Sequence, residues 1–470
     1  MSGIVSYGAY IPYWRLQRSA IGAALGSGGG RGTRSVASYD EDTTSMAVEA
    51  GRIALAAAPS GFVPHTLWFA TATPAYLDKT NATGIHAALA LPDWAGAFDT
   101  IGSVRSQVAA MMGAASGGPQ IALVSDIRVG LPGGGDESNG GDAAAAICFG
   151  DQNVICEQFG GAFATAEFVD RWREPGDVAS KQWEERFGEY AYLPLVQQAF
   201  QRALDSTGVS AASFDHVIIS GLHGRAAKAT AKAIGVRPES VADDLSATIG
   251  NSGTAQAMVN LCDVLDRAEP GQTIAVVILA DGASVWFLRA TPELAAFRAR
   301  QGATVAAQIA STRDDLTYAS YLTWRGLLHR EPPRRPEPDR PAAPPSLRRN
   351  QWKFGFFGSR DETGFVHLPP SRVSFGTGEI DHMEPVRMAD VQATIATYTV
   401  DRLAYSLSPP VVAAVIDFDG GGRFQCELTD VDPDRVKIGD RVEMTFRRLY
   451  TQDGVHNYFW KARPIRGRAE

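Results

Sequence analysis

Cysteine thiols are the side chains of this chain best suited to nucleophilic or metal chemistry. The sequence has four of them, Cys148, Cys156, Cys262 and Cys426, and no two have the spacing of a CxxC motif. This pattern argues against a disulfide scaffold and a Cys-rich zinc site, and it predicts a reducing, cytoplasmic environment. Cys148 lies in a strand-like apolar run, where we expect a buried structural thiol.

Phosphate binding is the second chemistry that the residue types suggest. The glycine-rich stretch 26–32, GSGGGRG, is not followed by a Gly-Lys-Ser/Thr sequence, so it favours a flexible loop. Arg225, Lys228 and Lys232 recur at helical spacing on one face. This face either meets the phosphates of a ligand or is solvated.

Acid–base side chains are set among tryptophans and charged residues in the stretch 171–193. Glu189, Tyr190 and Tyr192 are its candidates for proton transfer. The alternative is that the three residues belong to a packed, half-exposed helix without a chemical role.

Length and composition limit the classes to which the protein can belong. With 470 residues, of which 45% are apolar and 20% charged, the chain is predicted to be globular, with roughly two to four structural units. The net charge of −8 gives no electrostatic footprint for nucleic acid. No apolar run approaches the ~20 residues of a membrane helix, and the N-terminus lacks the pattern of a signal peptide. We therefore expect neither a nucleic-acid nor a membrane partner.

Strand-like and helix-like runs alternate through the first part of the chain. The apolar strand pattern at 66–73 follows a helical pattern at 40–58, which has the acidic residues 40–42 in its first turn. The same order recurs later, beginning with a predicted helix at 193–208. The stretches 98–102, FDTIG, and 247–250, ATIG, each lead into a small-residue helix and then an apolar strand. This weak internal repeat predicts a duplicated α/β layer structure.

A proline-rich segment divides the chain. Residues 330–349 contain seven prolines and almost no apolar side chains, so we expect an extended, semi-rigid tether. After it, short β-rich runs separated by turn residues predict a small all-β barrel. The predicted units are two halves of an α/β domain, a linker and a barrel domain, at 1–168, 169–329, 330–350 and 351–470.

Several segments carry a resemblance to a known family, namely IVSYGAYIPYWRL, YDEDTTSMAVEAGRIAL, NGGDAAAAICFGD, HGRAAKATAKAIGV and IGNSGTAQAMVNL. They resemble the thiolase superfamily and, within it, the archaeal-type 3-hydroxy-3-methylglutaryl-CoA synthases. The stretch PPVVAAVIDFDGGGRFQCELTDVDPDRVKIGDRVEMTF resembles OB-fold proteins that accompany and can bridge such enzymes. The resemblance implies a duplicated five-layer thiolase-like fold followed by an OB barrel. It also implies a homodimer or an assembly with a thiolase-like partner protein.

The resemblance locates the positions where the family keeps its catalytic residues. The nucleophilic Cys falls on Val104, the general-base Glu on Ala72 and the His on Ser220. Valine cannot form an acyl-enzyme and alanine cannot take a proton, and no Cys occurs in residues 1–147. Ser103, beside Val104, is either a substitute nucleophile or a helix cap.

Polar candidates near these positions make up the predicted site. His223 follows Ser220 by three residues, and Asn251 lies in the family's GN turn, where the resemblance implies donation to a thioester carbonyl. The alternatives are a loop histidine and a turn asparagine. With Glu189, His223 and Asn251 form the predicted catalytic set. The resemblance makes CoA or acyl-CoA the expected ligand, and the predicted CoA-binding set is Arg225, Lys228 and Lys232.

The OB proteins of this family usually begin with a zinc ribbon. Ser374 and Thr377 stand where its second Cys pair would fall, and His367 and His382 alone make a poor set of metal ligands. We therefore expect no structural zinc.

Two hypotheses for function follow from these residues. In the first, the chain is a non-acylating subunit that binds acyl-CoA or acts as a scaffold, with tether and barrel reaching a neighbouring subunit for assembly or CoA delivery. In the second, it is an enzyme with altered residues, such as an acyl-CoA lyase, a retro-aldolase or an acyltransferase.

Overall fold

The structure, a computed structural model, describes residues 2–466. Its N-terminal part alternates strands with helices, as the apolar periodicity predicts. These elements are β1 (Gly3–Tyr10), β2 (Trp14–Gln17), α1 (Arg18–Leu25), β3 (Thr33–Val36), α2 (Thr43–Ala57), β4 (Thr66–Thr71), α3 (Ala82–Ala88), β5 (Gly96–Ile101), α4 (Ser106–Ala114), β6 (Gln120–Ile127), α5 (Gly135–Asn139), β7 (Asp142–Gly150) and β8 (Cys156–Thr165).

The next part repeats the strand and helix alternation. None of the helices within the described residues is both long and apolar enough to cross a membrane. The elements are β9 (Arg171–Trp172), β10 (Lys181–Gln182), α6 (Glu185–Thr207), β11 (His216–Gly221), α7 (Gly224–Ile234), α8 (Gln256–Arg267), β12 (Thr273–Leu279), β13 (Gly282–Ala290), α9 (Glu293–Arg298), α10 (Val305–Ala310) and α11 (Tyr318–Trp324).

Nine strands form one sheet in the order β11-β12-β13-β8-β1-β7-β6-β4-β5. Its two halves join where Ile4 of β1 pairs with Cys156 of β8. The stretches 98–102 and 247–250 precede α4 and α8, and the two helices contribute to one apolar core. The predicted duplication of α/β units is therefore present.

Helix α6 differs from its prediction. The sequence pattern predicts a helix from residue 193, but α6 begins at Glu185 and runs through Pro194. A proline inside a helix removes one backbone hydrogen bond and favours a break. Here Tyr192 and Val196, on either side of Pro194, are both buried, so tertiary packing keeps the helix continuous.

The C-terminal part is all-β apart from two short helices at the end of the proline-rich segment. Five of its strands close into a barrel in the order β17-β18-β19-β21-β20, and three others form a small sheet. The elements are α12 (Ala343–Arg348), α13 (Asn350–Lys353), β14 (Phe357–Arg360), β15 (Val366–His367), β16 (Glu384–Arg387), β17 (Ala393–Asp401), β18 (Val411–Phe418), β19 (Arg423–Leu428), β20 (Arg441–Gln452) and β21 (Val455–Pro464).

The barrel packs on the α/β domain of its own chain. Met46 and Ala50 of α2 share one apolar core with Phe446 and Trp460 of the barrel. Arg52 of α2 donates to backbone carbonyls of the barrel domain, including that of Met444 at 2.6 Å. The tether thus connects two domains that are already in contact. Proline content indicates that a segment is extended but says nothing about what its ends pack against.

Buried charges fill the centre of this domain junction. Arg447 of β20 contacts carboxylates of Asp40, Glu41 and Asp430 at 3.2, 3.0 and 2.6 Å, and all four side chains are almost fully buried. The acidic run 40–42 was expected in the first turn of a helix. Instead it precedes α2, where Asp42 caps the helix by accepting from the backbone N–H of Ser45 at 2.8 Å. Two further barrel cations, Lys461 and Arg463, pair with Asp40 and Glu49.

Candidate functional site

A cavity of about 120 Å³ opens where several loops of the α/β domain meet. Loops after β4 and β11, the turn between β12 and β13, and the segments before α4 and α6 all contribute to it. Loops at the ends of sheet strands are the usual location of binding sites in α/β folds. The lining residues are Ala72, Gly102, Ser103, Val104, Arg128, Asp170, Arg171, Trp172, Arg173, Ser180, Tyr192, Leu222, His223, Leu279, Ala280 and Asp281.

Val104 and Ala72 lie together on this cavity wall, so the structure brings together two of the positions that the resemblance singles out. Val104 precedes the first residue of α4 by two positions, and Gln107 donates to its carbonyl oxygen at 3.0 Å. Ser103 also lines the cavity and is half-buried. The wall therefore presents an aliphatic side chain where a helix N-terminus would stabilise a thiolate.

His223 also lines the cavity and caps helix α7. Its Nδ1 accepts a hydrogen bond from the backbone N–H of Ala226 at 3.1 Å. An accepting Nδ1 carries no proton, so the neutral ring carries its proton on Nε2. Nε2 is buried and has no hydrogen-bond partner within the described residues. Gly188 of α6 covers this atom, because a Cβ at that position would lie 2.4 Å from it.

The ring of His223 is held against α6. Gly188 gives it room, because a Cβ atom at that position would lie 2.3 Å from its Cδ2. On the same side, the rings of Tyr192 and His223 have centroids 6.1 Å apart. Helix α6 therefore sets the position of the imidazole.

Ser220 and Asn251 do not line the cavity. Ser220 is buried near the end of β11. The side chain of Asn251 joins its turn to the end of β11: Nδ2 donates to the carbonyl of Gly221 at 2.9 Å, and Oδ1 accepts from the N–H of Gly253 at 2.9 Å. The structure thus gives Asn251 the turn-stabilising contacts of the alternative reading.

Glu189 and Tyr190 also lie outside the cavity lining. Glu189 is half-buried on α6, and Tyr190 is 81% exposed. Because residues two positions apart on a helix point about 200° apart, α6 directs Tyr192 inward and Tyr190 outward. The predicted CoA-binding residues are all exposed on α7, namely Arg225, Lys228 and Lys232.

Asp281 and Arg105 are site residues that the sequence did not single out. Asp281 lies in the turn between β12 and β13 with φ of 46°. Arg105, next to Val104, donates to the backbone carbonyl of Asp281 and, at 2.7 Å, to Thr165 Oγ1. The sequence feature that could have pointed to Asp281 is the pair Asp281-Gly282, but this pair equally predicts an ordinary hairpin turn.

Carboxylates give this side of the cavity a distinct electrostatic character. Partial burial and the neighbouring Asp170 raise the pKa of Asp281 above its ordinary value, against the opposing effect of Arg105. Burial and the carboxylates of Asp170 and Asp281 also raise the pKa of Tyr192. The phenol stays protonated, and Asp281 is a carboxyl group that can exchange a proton nearer to neutral pH.

Hydrogen bonds hold the segment of the barrel domain where the resemblance implies a zinc ribbon. Asp361 accepts from Ser374 Oγ at 2.5 Å and from Thr363 Oγ1 at 2.7 Å. Ser374 Oγ in turn accepts from the backbone N–H groups of Gly376 and Thr377, both at 3.1 Å. One carboxylate and hydroxyl groups already engaged with one another do not fit a tetrahedral zinc ion. Within residues 2–466, no group of three or more His, Cys, Asp or Glu side chains is placed to hold a metal.

Comparisons with known proteins agree with this architecture. The family model of the ChsH2 C-terminal OB-fold domain matches residues 385–447. Hydroxymethylglutaryl-CoA synthases of Pyrococcus horikoshii and Methanopyrus kandleri are 30% and 29% identical over 294 and 299 residues. These matches cover 60% of this chain in both cases, and 83% and 85% of the two relatives.

Solved structures show the same fold at lower identity. An HMG-CoA synthase complexed with CoA has a TM-score of 0.59 and 18% identity, over 68% of this chain and 89% of its own. The 3-oxoacyl-[acyl-carrier-protein] synthase III of Aquifex aeolicus has a TM-score of 0.54 and 17% identity, over 62% of this chain and 100% of its own. The predicted thiolase-like fold is thus confirmed. The chain belongs to the hydroxymethylglutaryl-CoA synthase family and carries a C-terminal OB-fold domain.

Proposed function

We propose that this protein binds a CoA thioester in the cavity around Val104 without forming an acyl-cysteine. The observation that carries the proposal is the aliphatic side chain of Val104 on the cavity wall, immediately before α4. Relatives support the ligand class, because hydroxymethylglutaryl-CoA synthases handle CoA thioesters and a structural neighbour is complexed with CoA.

The charges around the cavity suit an anionic ligand. Arg128, Arg171 and Arg173 line it, of which Arg171 pairs with Asp136 at 2.6 Å and Arg128 with Asp126 at 3.7 Å. Helix α7 begins at its edge with His223 as cap. Lys228 and Lys232 then lie exposed on α7. Guanidinium and ammonium groups are the common partners of phosphates, so this side is our proposed path for the CoA phosphates.

Assembly is the second part of the proposed role. Strand β5 is an edge of the nine-stranded sheet, and Phe98 on it and the preceding Trp94 are 51% and 61% exposed. An open edge with exposed aromatic side chains is suited to pairing with a second chain. We propose a homodimer through β5, or the equivalent contact with a thiolase-like partner protein.

The polar groups of the cavity favour a second candidate function, an acyl-CoA lyase. Asp281 and Tyr192, which both line the cavity, offer acid–base groups. Cleavage of a carbon–carbon bond in a 3-hydroxyacyl-CoA needs proton transfer and stabilisation of an enolate, and it needs no acyl-enzyme.

Two measurements test the proposal. Titration calorimetry with CoA and acetyl-CoA is expected to show binding that weakens when Lys228 and Lys232 are both changed to Ala. Intact-mass measurement after incubation with acetyl-CoA is expected to show no adduct. The Val104→Cys variant is the matched control. A thiol at this helix start should be acetylated, which would show that the measurement can detect an acetyl adduct. Absence of CoA binding, or an acetyl adduct on the unaltered protein, would contradict the proposal.

A further inference from the structure

The backbone conformation of Asp281 is unusual for its residue type. Its φ of 46° lies in the left-handed region, which is costly for residues other than glycine and least so for Asn and Asp. Arg105 holds the Asp281 carbonyl oxygen, and Gly282 follows with φ of 120°. A Cβ atom at position 282 would lie 2.3 Å from the Ala164 carbonyl oxygen, so the turn fits closely against β8.

The groups around the Asp281 carboxyl favour proton exchange. Asp170 and Glu167 are the acidic neighbours that act on it, Arg105 is the cationic one, and the Tyr192 hydroxyl lies within their reach. Two carboxyl groups close together cannot both ionise freely, so one keeps a proton to a higher pH. Asp281 is also solvent-accessible, as a group that exchanges protons with ligand and water must be.

We propose that Asp281 is the proton-transfer residue of this cavity, in place of the carboxylate that the family keeps where Ala72 stands here. The inference rests on the lyase candidate of the proposed function. Both residues line the same cavity, but Asp281 approaches it from the β12–β13 turn. The position of Ala72, which follows β4, therefore gives no indication of Asp281.

The reaction balances without any further reactant. The Asp281 carboxylate takes the proton of the 3-hydroxyl group of a 3-hydroxyacyl-CoA. The C2–C3 bond breaks, its electron pair forms the enolate of the shorter acyl-CoA, and C3 becomes a carbonyl carbon. The same carboxyl then returns its proton to C2, and the products are an aldehyde or ketone and an acyl-CoA.

The last step in reverse gives a direct test on the full-length protein. The carboxylate should remove a C2 proton from bound propionyl-CoA, so that deuterium from heavy water enters that position. We expect the wild-type protein to bind propionyl-CoA and to incorporate deuterium, measured by mass spectrometry. Asp281→Asn, which keeps the shape and tolerates the left-handed conformation, should bind within about threefold and exchange about 10²–10⁴-fold more slowly.

Two further variants separate chemistry from structure. Asp281→Gly relaxes the backbone at this φ, so a stable protein that has lost exchange ties the loss to the carboxyl group. Asp205→Asn removes an exposed carboxylate of α6 distant from the cavity lining and should exchange at the wild-type rate. The wild-type exchange rate should rise with pH through an inflection above the ordinary range of an Asp.

The outcomes distinguish failure of this inference from failure of the proposed binding of a CoA thioester. If the wild-type protein does not bind propionyl-CoA or CoA, the proposed function is wrong and this inference fails with it. If it binds but shows no exchange, or if Asp281→Asn exchanges as fast as the wild type, Asp281 is not the proton-transfer residue.

Discussion

Replacement of Arg447 by Met should destabilise the whole chain in a pH-dependent way. The Arg447 guanidinium is fully buried and contacts Asp40, Glu41 and Asp430 within 2.6–3.2 Å. Met fills similar space but leaves three buried carboxyl groups without their shared cation. Removal of one partner from a buried ion pair usually costs about 3–5 kcal/mol, and here three partners lose it. We expect a loss at the upper end of that range at pH 8.

Acid should reduce this loss. Burial raises the pKa of Glu41 from 4.5 to about 7 even with Arg447 present. Between these two pH values the folded wild type holds a proton on Glu41 that the unfolded chain has released. The stabilisation from that proton therefore falls as pH rises from the ordinary value of a Glu to about 7. In the variant, Glu41 loses the opposing charge of Arg447 and its pKa rises further, whereas Asp40 keeps Lys461 at 3.0 Å. At pH 5 Glu41 can be buried as a neutral group, so the variant should lie closer to the wild type than at pH 8.

Urea unfolding followed by tryptophan fluorescence measures both effects. Trp460, buried at the domain junction beneath the Arg52 guanidinium, reports on the contact. Arg423→Met is the control, because the exposed Arg423–Asp417 pair should contribute nothing measurable at either pH. Equal destabilisation of the Arg447 variant at pH 5 and pH 8, or a loss below about 1 kcal/mol at pH 8, would refute the reasoning.

Two other predictions concern the cavity and the ribbon. Gly188→Ala should displace the His223 ring, which a new Cβ would approach to 2.3 Å, and weaken thioester binding; Gly224→Ala, where a Cβ meets nothing within 4 Å, should not. Titration calorimetry with acetyl-CoA measures the affinity of both variants, and equal affinities would disprove the role of the contact between Gly188 and His223. Ser374→Ala should lower the thermal midpoint because Asp361 loses its 2.5 Å donor, while a chelator should leave the wild-type midpoint unchanged. A stoichiometric zinc in the purified protein would contradict this account of the ribbon.

Local patterns predicted most elements of the fold. Alternating apolar residues predicted the barrel strands, and helical periodicity predicted α2 and α8. Both patterns arise because one side of the strand or helix is buried. The FDTIG and ATIG stretches gave the duplication because each precedes a helix in the same layer. Pro194 misled the prediction of α6, because burial of the residues around it outweighs its local effect.

Contacts between distant residues were not predictable from such patterns. Arg447 and Asp40 are separated by 407 positions, and nothing in either neighbourhood identifies the other as its partner. The acidic run 40–42 fits a helix start as well as a buried junction. Asp281 was missed for the same reason: an Asp-Gly pair between two strands predicts a turn, and only the folded chain shows that this turn faces Val104 and Ala72.

The exposed linker has a consequence for how the protein behaves in a cell extract. Every residue from 329 to 340 is exposed, and Arg330 and Arg334, which are not followed by proline, are sites for trypsin-like proteases. The junction between the domains, however, is made of buried side chains that cleavage there leaves intact. A nicked molecule should therefore migrate as two bands under denaturing conditions and still elute as one particle. Fragment sizes alone would then give a false impression that the two domains act separately.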